Sequence, residues 1–355
     1  MVVTVKRAEQ PAKPMGQPAK PMGQPVRVAF FLIPQFSMMA FAAAIEPLRS
    51  ANRTCGKPLF EWLLVSADGL PVTASNGIPV AVGGPLEEVS KVEMLLVCAG
   101  LETPEFEHNP RIYHHLRRLS RHGALVGAIS SGSFILADAG LLTGRRCTVH
   151  WEYVDALRAR HPELQVTQEL YVIDRDVFTC SGGAAGLDMM LHFVGQVAGA
   201  ELALSVAEQF IHPYIRKQED HQRLDLHARY GIDSPRLIEV IGLMEGALEE
   251  PLDVAEIAAR TGVSTRQIER LFRDHLKCSP KAFYMRLRVA RARTLLQHTL
   301  SPLRMIALEC GFESTSHFCH AYKRVYGIPP SHERRSPGRK QPNGEPTLLR
   351  PPVNL

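Results

Sequence analysis

The chain lacks any apolar run approaching the length of a membrane span, so a helical membrane protein is not expected. Its first residues hold no apolar core of the kind a secretory leader needs, and a cytoplasmic protein without a membrane partner is expected. It has no Cys-x-x-Cys pair. The seven cysteines (Cys55, Cys98, Cys147, Cys180, Cys278, Cys310 and Cys319) are scattered and odd in number, which suits reduced thiols and argues against a disulfide framework. Cys310, His317, Cys319 and His320 invite a metal reading, but they fall inside a segment that reads as helices with structural and outward-facing roles. No metal and no cofactor is expected. What remains is ordinary for a soluble globular protein: 45% hydrophobic and 22% charged over 355 residues, with room for two domains plus tails.

What is present is one structural idea written twice between Asp253 and Pro330. The first copy runs Ile257-Ala258-Ala259-Arg260-Thr261-Gly262-Val263-Ser264, then a helix, then Pro280. The second runs Ile306-Ala307-Leu308-Glu309-Cys310-Gly311-Phe312-Glu313-Ser314, then a helix, then Pro329-Pro330. Each is a short apolar helix, a turn glycine, a capping serine and a basic second helix, which is the helix-turn-helix pattern. Asp253 caps the first helix, and Ser264 with Gln267 three residues on forms a capping box. Ile268, Leu271 and Phe272 share one face, and Arg266, Gln267, Arg270 and Arg273 lie largely off it. In the second copy Phe318, Ala321 and Tyr322 are the apolar face, leaving Thr315, His317, His320 and Lys323 outward. Gly327 closes that helix.

Between the copies, Lys281 to Leu300 is periodic in Phe283, Leu287, Ala290, Thr294 and Leu295. As a helix it spans roughly 30 Å at about 1.5 Å per residue, close to the ~34 Å between successive major-groove faces on one side of DNA. Two recognition helices on one chain can then enter adjacent grooves. Charge agrees. Pro251 to Lys340 holds 17 Lys+Arg against 7 Asp+Glu, net +10, while the whole chain is +5, so the remainder is −5. Phosphate binding needs cations there. Arg266, Gln267 and Arg270 are the candidate DNA contacts of the first unit, and Thr315, His317, His320 and Lys323 of the second. Arginine pairs bidentately with guanine and glutamine with adenine.

From Ser234 to Ser331 the chain resembles the AraC family of transcription regulators. The resemblance is most specific at Gly311-Phe312, His317-Phe318, Ala321-Tyr322-Lys323-Arg324, Tyr326-Gly327 and Pro329-Pro330. It implies promoter DNA and RNA polymerase as partners, and activation of transcription.

Before this region, 1–25 is a tail containing the heptapeptide QPAKPMG twice, without apolar periodicity and expected to be disordered. Residues 26–200 read as α/β. Strands are expected at Val26–Ile33, Phe60–Ser66, Met94–Cys98, Ala124–Ile129, Tyr171–Ile173 and Val177–Cys180. Helices fall between them, so the sheet is mostly parallel and covered on both faces. Residues 201–233 are a connection, with a possible dimer-facing helix at Ala203, Val206, Ala207 and Phe210 and a charged, solvated stretch from Arg216 to Arg223. Residues 234–333 form an all-α domain with the two helix-turn-helix units. Residues 334–355 are a second disordered tail.

The sharp feature of the α/β part is Ala128-Ile129-Ser130-Ser131-Gly132-Ser133, a strand passing into a helix through small residues. Such an elbow raises one side chain above the sheet and turns backbone N–H groups toward whatever sits there. Together with Leu136 to Arg145, Thr148-Val149-His150-Trp151, and Ser181-Gly182-Gly183 followed by Asp188, it resembles the class I glutamine-amidotransferase-like superfamily in its PfpI branch, a flavodoxin-like fold. In catalytic members a cysteine occupies the elbow; here it is Ser130. Their supporting glutamate falls near Ala40, while His150 keeps the family's histidine position. A lone serine without an aligned base is a poor nucleophile, so a non-catalytic binding domain is expected, not an enzyme. The alternative is a serine-dependent hydrolase that retains a DNA-binding tail.

Joined to an AraC-type C-terminus, this domain resembles the GlxA-type regulators, whose members sense small amino compounds including arginine, glycine betaine and carnitine. The segments Glu46–Arg49, Ala51–Arg53, Ser66–Gly69 and Ala74–Pro79 look closest to the betaine and carnitine sensors. A zwitterion needs an anion site and a cation site. Ser130, with the amides of Ser131 and Gly132, is the candidate for its carboxylate. Phe36 and Trp151 are candidates for its quaternary ammonium through cation–π contact, and His150 and Gly183 complete the effector set. Core packing is the alternative for Phe36 and Trp151, and a structural role for His150. Asp188 is expected to cap or stabilise its helix.

Overall fold

The computed structural model describes residues 24–100, 109–299 and 301–333. The QPAKPMG repeat and the 334–355 tail lie outside them. The chain divides into two compact units, Met1–Gln222 and Arg223–Leu355.

In the first unit, β1 (Val26–Leu32) leads into α1 (Met38–Cys55), then β2 (Phe60–Ser66). The short strands β3 (Val72–Thr73), β4 (Pro79–Val80) and β5 (Gly84–Pro85) precede β6 (Met94–Cys98). There follow α2 (Pro110–Arg121), β7 (Leu125–Ile129), α3 (Gly132–Asp138), β8 (Arg146–Thr148), α4 (Val154–Arg160), β9 (Gln165–Thr167), β10 (Tyr171–Asp174), β11 (Val177–Cys180), α5 (Ala185–Ala198) and α6 (Ala200–Gln209). The main sheet is ordered β10-β11-β7-β6-β1-β2-β5 and is parallel except for the β10–β11 hairpin.

The period-2 geometry of a strand explains the layers. On β1, Ala29 and Phe31 enter one core with Val97, Val126 and Leu136, while Val28, Phe30 and Leu32 enter the other with Phe41, Leu96 and Met189. A strand buried on both faces must be continuously apolar, which is why Val28 to Ile33 reads as an unbroken run after the exposed Arg27. Phe178 packs across Gly127 of β7, where a Cβ would lie 2.2 Å from its ring. All seven cysteines are free, and burial pushes the Cys180 thiol up to about 12, making it inert.

The chain after α6 departs from the expected solvated stretch. Arg216 lies in an ion pair with Asp188 of α5, and Gln222 reaches the chain after β8, so 211–222 is bound to the first unit. A charge run read alone cannot show that its partner is a buried carboxylate 28 residues earlier.

The second unit is helical: α7 (Leu226–Tyr230), α8 (Pro235–Gly246), α9 (Val254–Thr261), α10 (Thr265–Leu271), α11 (Pro280–His298), α12 (Leu303–Glu309), α13 (Thr315–Tyr326) and α14 (Pro330–Glu333). It has two cores. Leu237, Ile241, Ile257, Ile268 and Phe272 form one, and Ile306, Phe312, Phe318 and Tyr322 the other. Helix α11 serves both, giving Phe283, Tyr284 and Leu287 to the first and Val289, Ala292, Leu295 and Leu296 to the second. Its buried stripe therefore changes side midway. Ala290 and Thr294, expected on a single stripe, are only half-buried. Among the described residues no helix is long and apolar enough to cross a membrane.

Candidate functional site

The elbow after β7 is built as its small residues require. Ser130 has φ 60°, a left-handed conformation that costs a non-glycine residue energy. Its N–H donates to the Cys180 carbonyl at 2.9 Å, holding the turn against β11. Gly182 (φ 93°) faces it: a Cβ there would sit 3.0 Å from the Ser130 Cβ. At Gly132 a Cβ would lie 2.7 Å from the Val97 carbonyl oxygen. The Ser131 hydroxyl donates to the carbonyl of Gly100, which in turn bridges Phe36. Ser133 donates to the Thr148 carbonyl at 2.7 Å, drawing the segment that leads to His150 against α3. The amides after Ser131 open α3, where the first N–H groups have no partner within the helix.

His150 and Trp151 stand together, ring centroids 5.5 Å apart, and Tyr153 links His150 (6.0 Å) to Phe134 of α3 (6.3 Å). Burial lowers the His150 pKa to about 4, so its imidazole is neutral near pH 7. Glu152 N–H donates to Nδ1 at 3.4 Å, which fits an unprotonated Nδ1. Trp151 is 39% exposed, whereas Phe36 is fully buried, edge-on to Phe41 at 5.6 Å. The Phe36 ring thus lies in the core and its backbone, not its face, meets the elbow. Gly183, with φ 56°, lies in the loop that packs on Ser130. Among the described residues no hydrogen bond joins His150 to Ser130.

In the second unit, Ser264 caps α10 and Ser314 caps α13. Arg266 and Arg270 are exposed one turn apart on α10 and have no ion-pair partner among the described residues. Arg273, a turn further on, lies 3.6 Å from Asp274. On α13, His317, His320 and Lys323 are exposed and Thr315 half-buried, and the His317 ring also packs edge-on against Phe312. Gln267 differs from the sequence expectation of a bidentate contact. Its Oε1 accepts from the Ser264 N–H and hydroxyl, both at 3.0 Å, so the acceptor that would complete an adenine pair is already used.

Three residues that sequence reasoning missed, together with the turn glycine Gly311 that it named, hold this face in place. Tyr284 donates to the Ala247 carbonyl and accepts from the Leu252 N–H at 3.3 Å. One turn along α11, Arg288 donates to the carbonyls of Cys310 and Gly311 and lies 4.2 Å over the Phe312 ring. Gly311 (φ 73°) leaves room for Pro251, which a Cβ would approach to 2.4 Å. Glu333 accepts from Arg293, Gln297 and Tyr322, pinning α14. Of the three missed residues, only Tyr284 and Arg288 left a signal in the sequence, their i, i+4 spacing on one helix.

A flavodoxin-like unit with an elbow, followed by two capped helix-turn-helix units with exposed basic second helices, defines a two-part DNA-binding regulator. Residues 26–196 match the DJ-1/PfpI family, and residues 257–336 a helix-turn-helix domain family. The chain is 45% identical over 317 residues to the HTH-type transcriptional regulator CdhR of Pseudomonas aeruginosa, covering 89% of this chain and 94% of that protein. It is 40% identical to the regulator GbdR of Pseudomonas aeruginosa (91% and 87% covered), and 37% identical to the regulator GlxA of Rhizobium meliloti (88% and 96% covered). It belongs to this family of HTH-type transcriptional regulators, and in this chain a DJ-1/PfpI-type domain is joined to an AraC-type helix-turn-helix domain.

Proposed function

We propose that the first unit is a non-catalytic sensor for a small zwitterion, with a quaternary ammonium such as glycine betaine or carnitine as the best chemical fit. Its occupancy alters how the second unit engages promoter DNA, and the protein acts as an activator in the cytoplasm, with RNA polymerase as partner and a homodimer as the working form. The observation that carries the sensor reading is the elbow itself: Ser130 is held at φ 60° with no hydrogen-bonded base among the described residues. Such a turn supplies amides and a hydroxyl for a carboxylate but no activated nucleophile. Trp151, exposed beside the neutral His150, offers an aromatic face for the ammonium. Phe36 shapes the site from within the core, and Gly183 supplies a left-handed turn (φ 56°) in the facing loop.

The test is a thermal-shift panel of glycine betaine, carnitine, choline, sarcosine and basic amino acids on the full chain. A ligand that binds only the folded state raises the melting temperature by mass action, so one selective, saturable shift is expected. A flat panel contradicts the ligand class. The strained elbow also favours a second reading, serine-dependent hydrolysis, for which ester turnover abolished by Ser130→Ala is the decisive result.

A further inference from the structure

Residues 211–222 run from the end of α6 to the start of the second unit, and three attachments tie them to the frame of the elbow. The first is at Asp188, whose fully buried carboxylate accepts four hydrogen bonds from this segment. They come from His212 Nε2 (2.8 Å), the Arg216 N–H (2.7 Å), and the Arg216 guanidinium at 3.0 and 2.7 Å. The second is at Leu170, whose N–H donates to the Gln218 carbonyl at 3.0 Å. On its other side the Leu170 carbonyl accepts from both the N–H and the hydroxyl of Ser181, the residue before the Gly182 that packs on Ser130. The third is at Gln222, whose amide donates to Thr148 Oγ1 (2.9 Å), the Val149 carbonyl (3.0 Å) and the Glu169 carbonyl (2.9 Å), immediately before His150.

A passive tether needs none of this. A buried carboxylate is costly unless fully paired, and here its partners come from the connecting chain itself. The loop carrying Gly182 and the segment carrying His150 are the two walls of the candidate site, and both end on the same twelve residues. Arg223, the next residue, begins the second unit. We propose that 211–222 is a strap that reads the elbow site: a shift of either wall loosens or tightens the strap, with Asp188–Arg216 as its latch and Gln222 as its far anchor. The ligand that moves the walls rests on the sensor reading above; the mechanical coupling does not.

Hydrogen exchange on the full, ligand-free protein tests the coupling, comparing wild type with Arg216→Met and, as a milder release that leaves the buried pair intact, Gln222→Ala. Coupling predicts exchange at least about tenfold faster at amides 148–151 and 181–183 as well as in 211–222, in at least one folded variant. Acceleration confined to 211–222 in both overturns the proposal. A second arm adds glycine betaine or carnitine and measures binding to an operator selected from random duplexes. Where wild type responds, the ratio of affinities with and without ligand is expected to collapse to within about twofold of one in Gln222→Ala. An undiminished ratio overturns the strap as the reader. Failure of both compounds to bind wild type contradicts the ligand class, and exchange then decides the coupling alone.

Discussion

His150 gives the first unit a pH signature. Burial holds its imidazole near pKa 4, below the ordinary value of about 6.5, and outweighs the Glu152 carboxylate 3.5 Å from Nδ1. Between those values the unfolded chain takes up a proton that the folded chain refuses. This contribution to stability is therefore complete above pH 6.5 and is lost as pH falls toward 4. Burial lowers His115 and His192 as well, so the readout is a difference: the loss of melting temperature from pH 6.5 to 4 is expected to be smaller in His150→Gln than in wild type. Trp151→Ala is expected to weaken the effector response while leaving basal DNA binding intact, and an unchanged dose-response removes Trp151 from the site. On α10, Arg270→Ala is expected to weaken operator binding by about 1–3 kcal/mol, or, if the contact is to phosphate, to lower the salt slope by about one. Titration by fluorescence anisotropy at several salt concentrations separates the two. The Ser264–Gln267 box was legible because capping depends on local spacing. The sequence left Phe36 open between the site and core packing, because the choice depends on its packing against Phe41 and on a bridge to Gly100 some sixty residues away.

Among the elements, α11 matters most to function. Its 19 residues, about 28 Å at the helical rise, join two cores; Tyr284 ties it to the loop leading into the first helix-turn-helix unit and Arg288 to the turn of the second. Arg288→Ala strips two turn carbonyls of their donor and uncovers Phe312. Stability is expected to drop by about 1–3 kcal/mol, measured by urea unfolding. Gly311→Ala combines a left-handed φ with a collision against Pro251 and is expected to cost more than about 1 kcal/mol. The same denaturation experiment checks it, and unchanged stability would mean that this contact is not closely packed. Strands β1, β6, β7 and β11 could be read from their apolar runs because parallel strands are buried on both faces. Strands of two or three residues, such as β3, β5 and β8, carry too few positions for any periodicity. Helix α11 misled for a different reason: an amphipathic helix has one buried stripe, and this one has two.

Across the whole molecule, charge divides as function does, with the basic excess in the DNA-binding region and the acidic excess outside it. The tandem of turn glycines and capping serines identified the second unit directly, since every signal in it is local. The elbow was equally readable. The strap was not, because Asp188, Arg216 and Gln222 acquire their meaning only when distant segments meet. The account stands most directly on one measurement: anisotropy isotherms of the full chain on a selected operator and on its scrambled counterpart, with and without saturating glycine betaine or carnitine. It predicts preference for the operator by about a thousandfold or more, with an isotherm that moves when the zwitterion is added. Equal affinity for both duplexes, with no response to either compound, would contradict it.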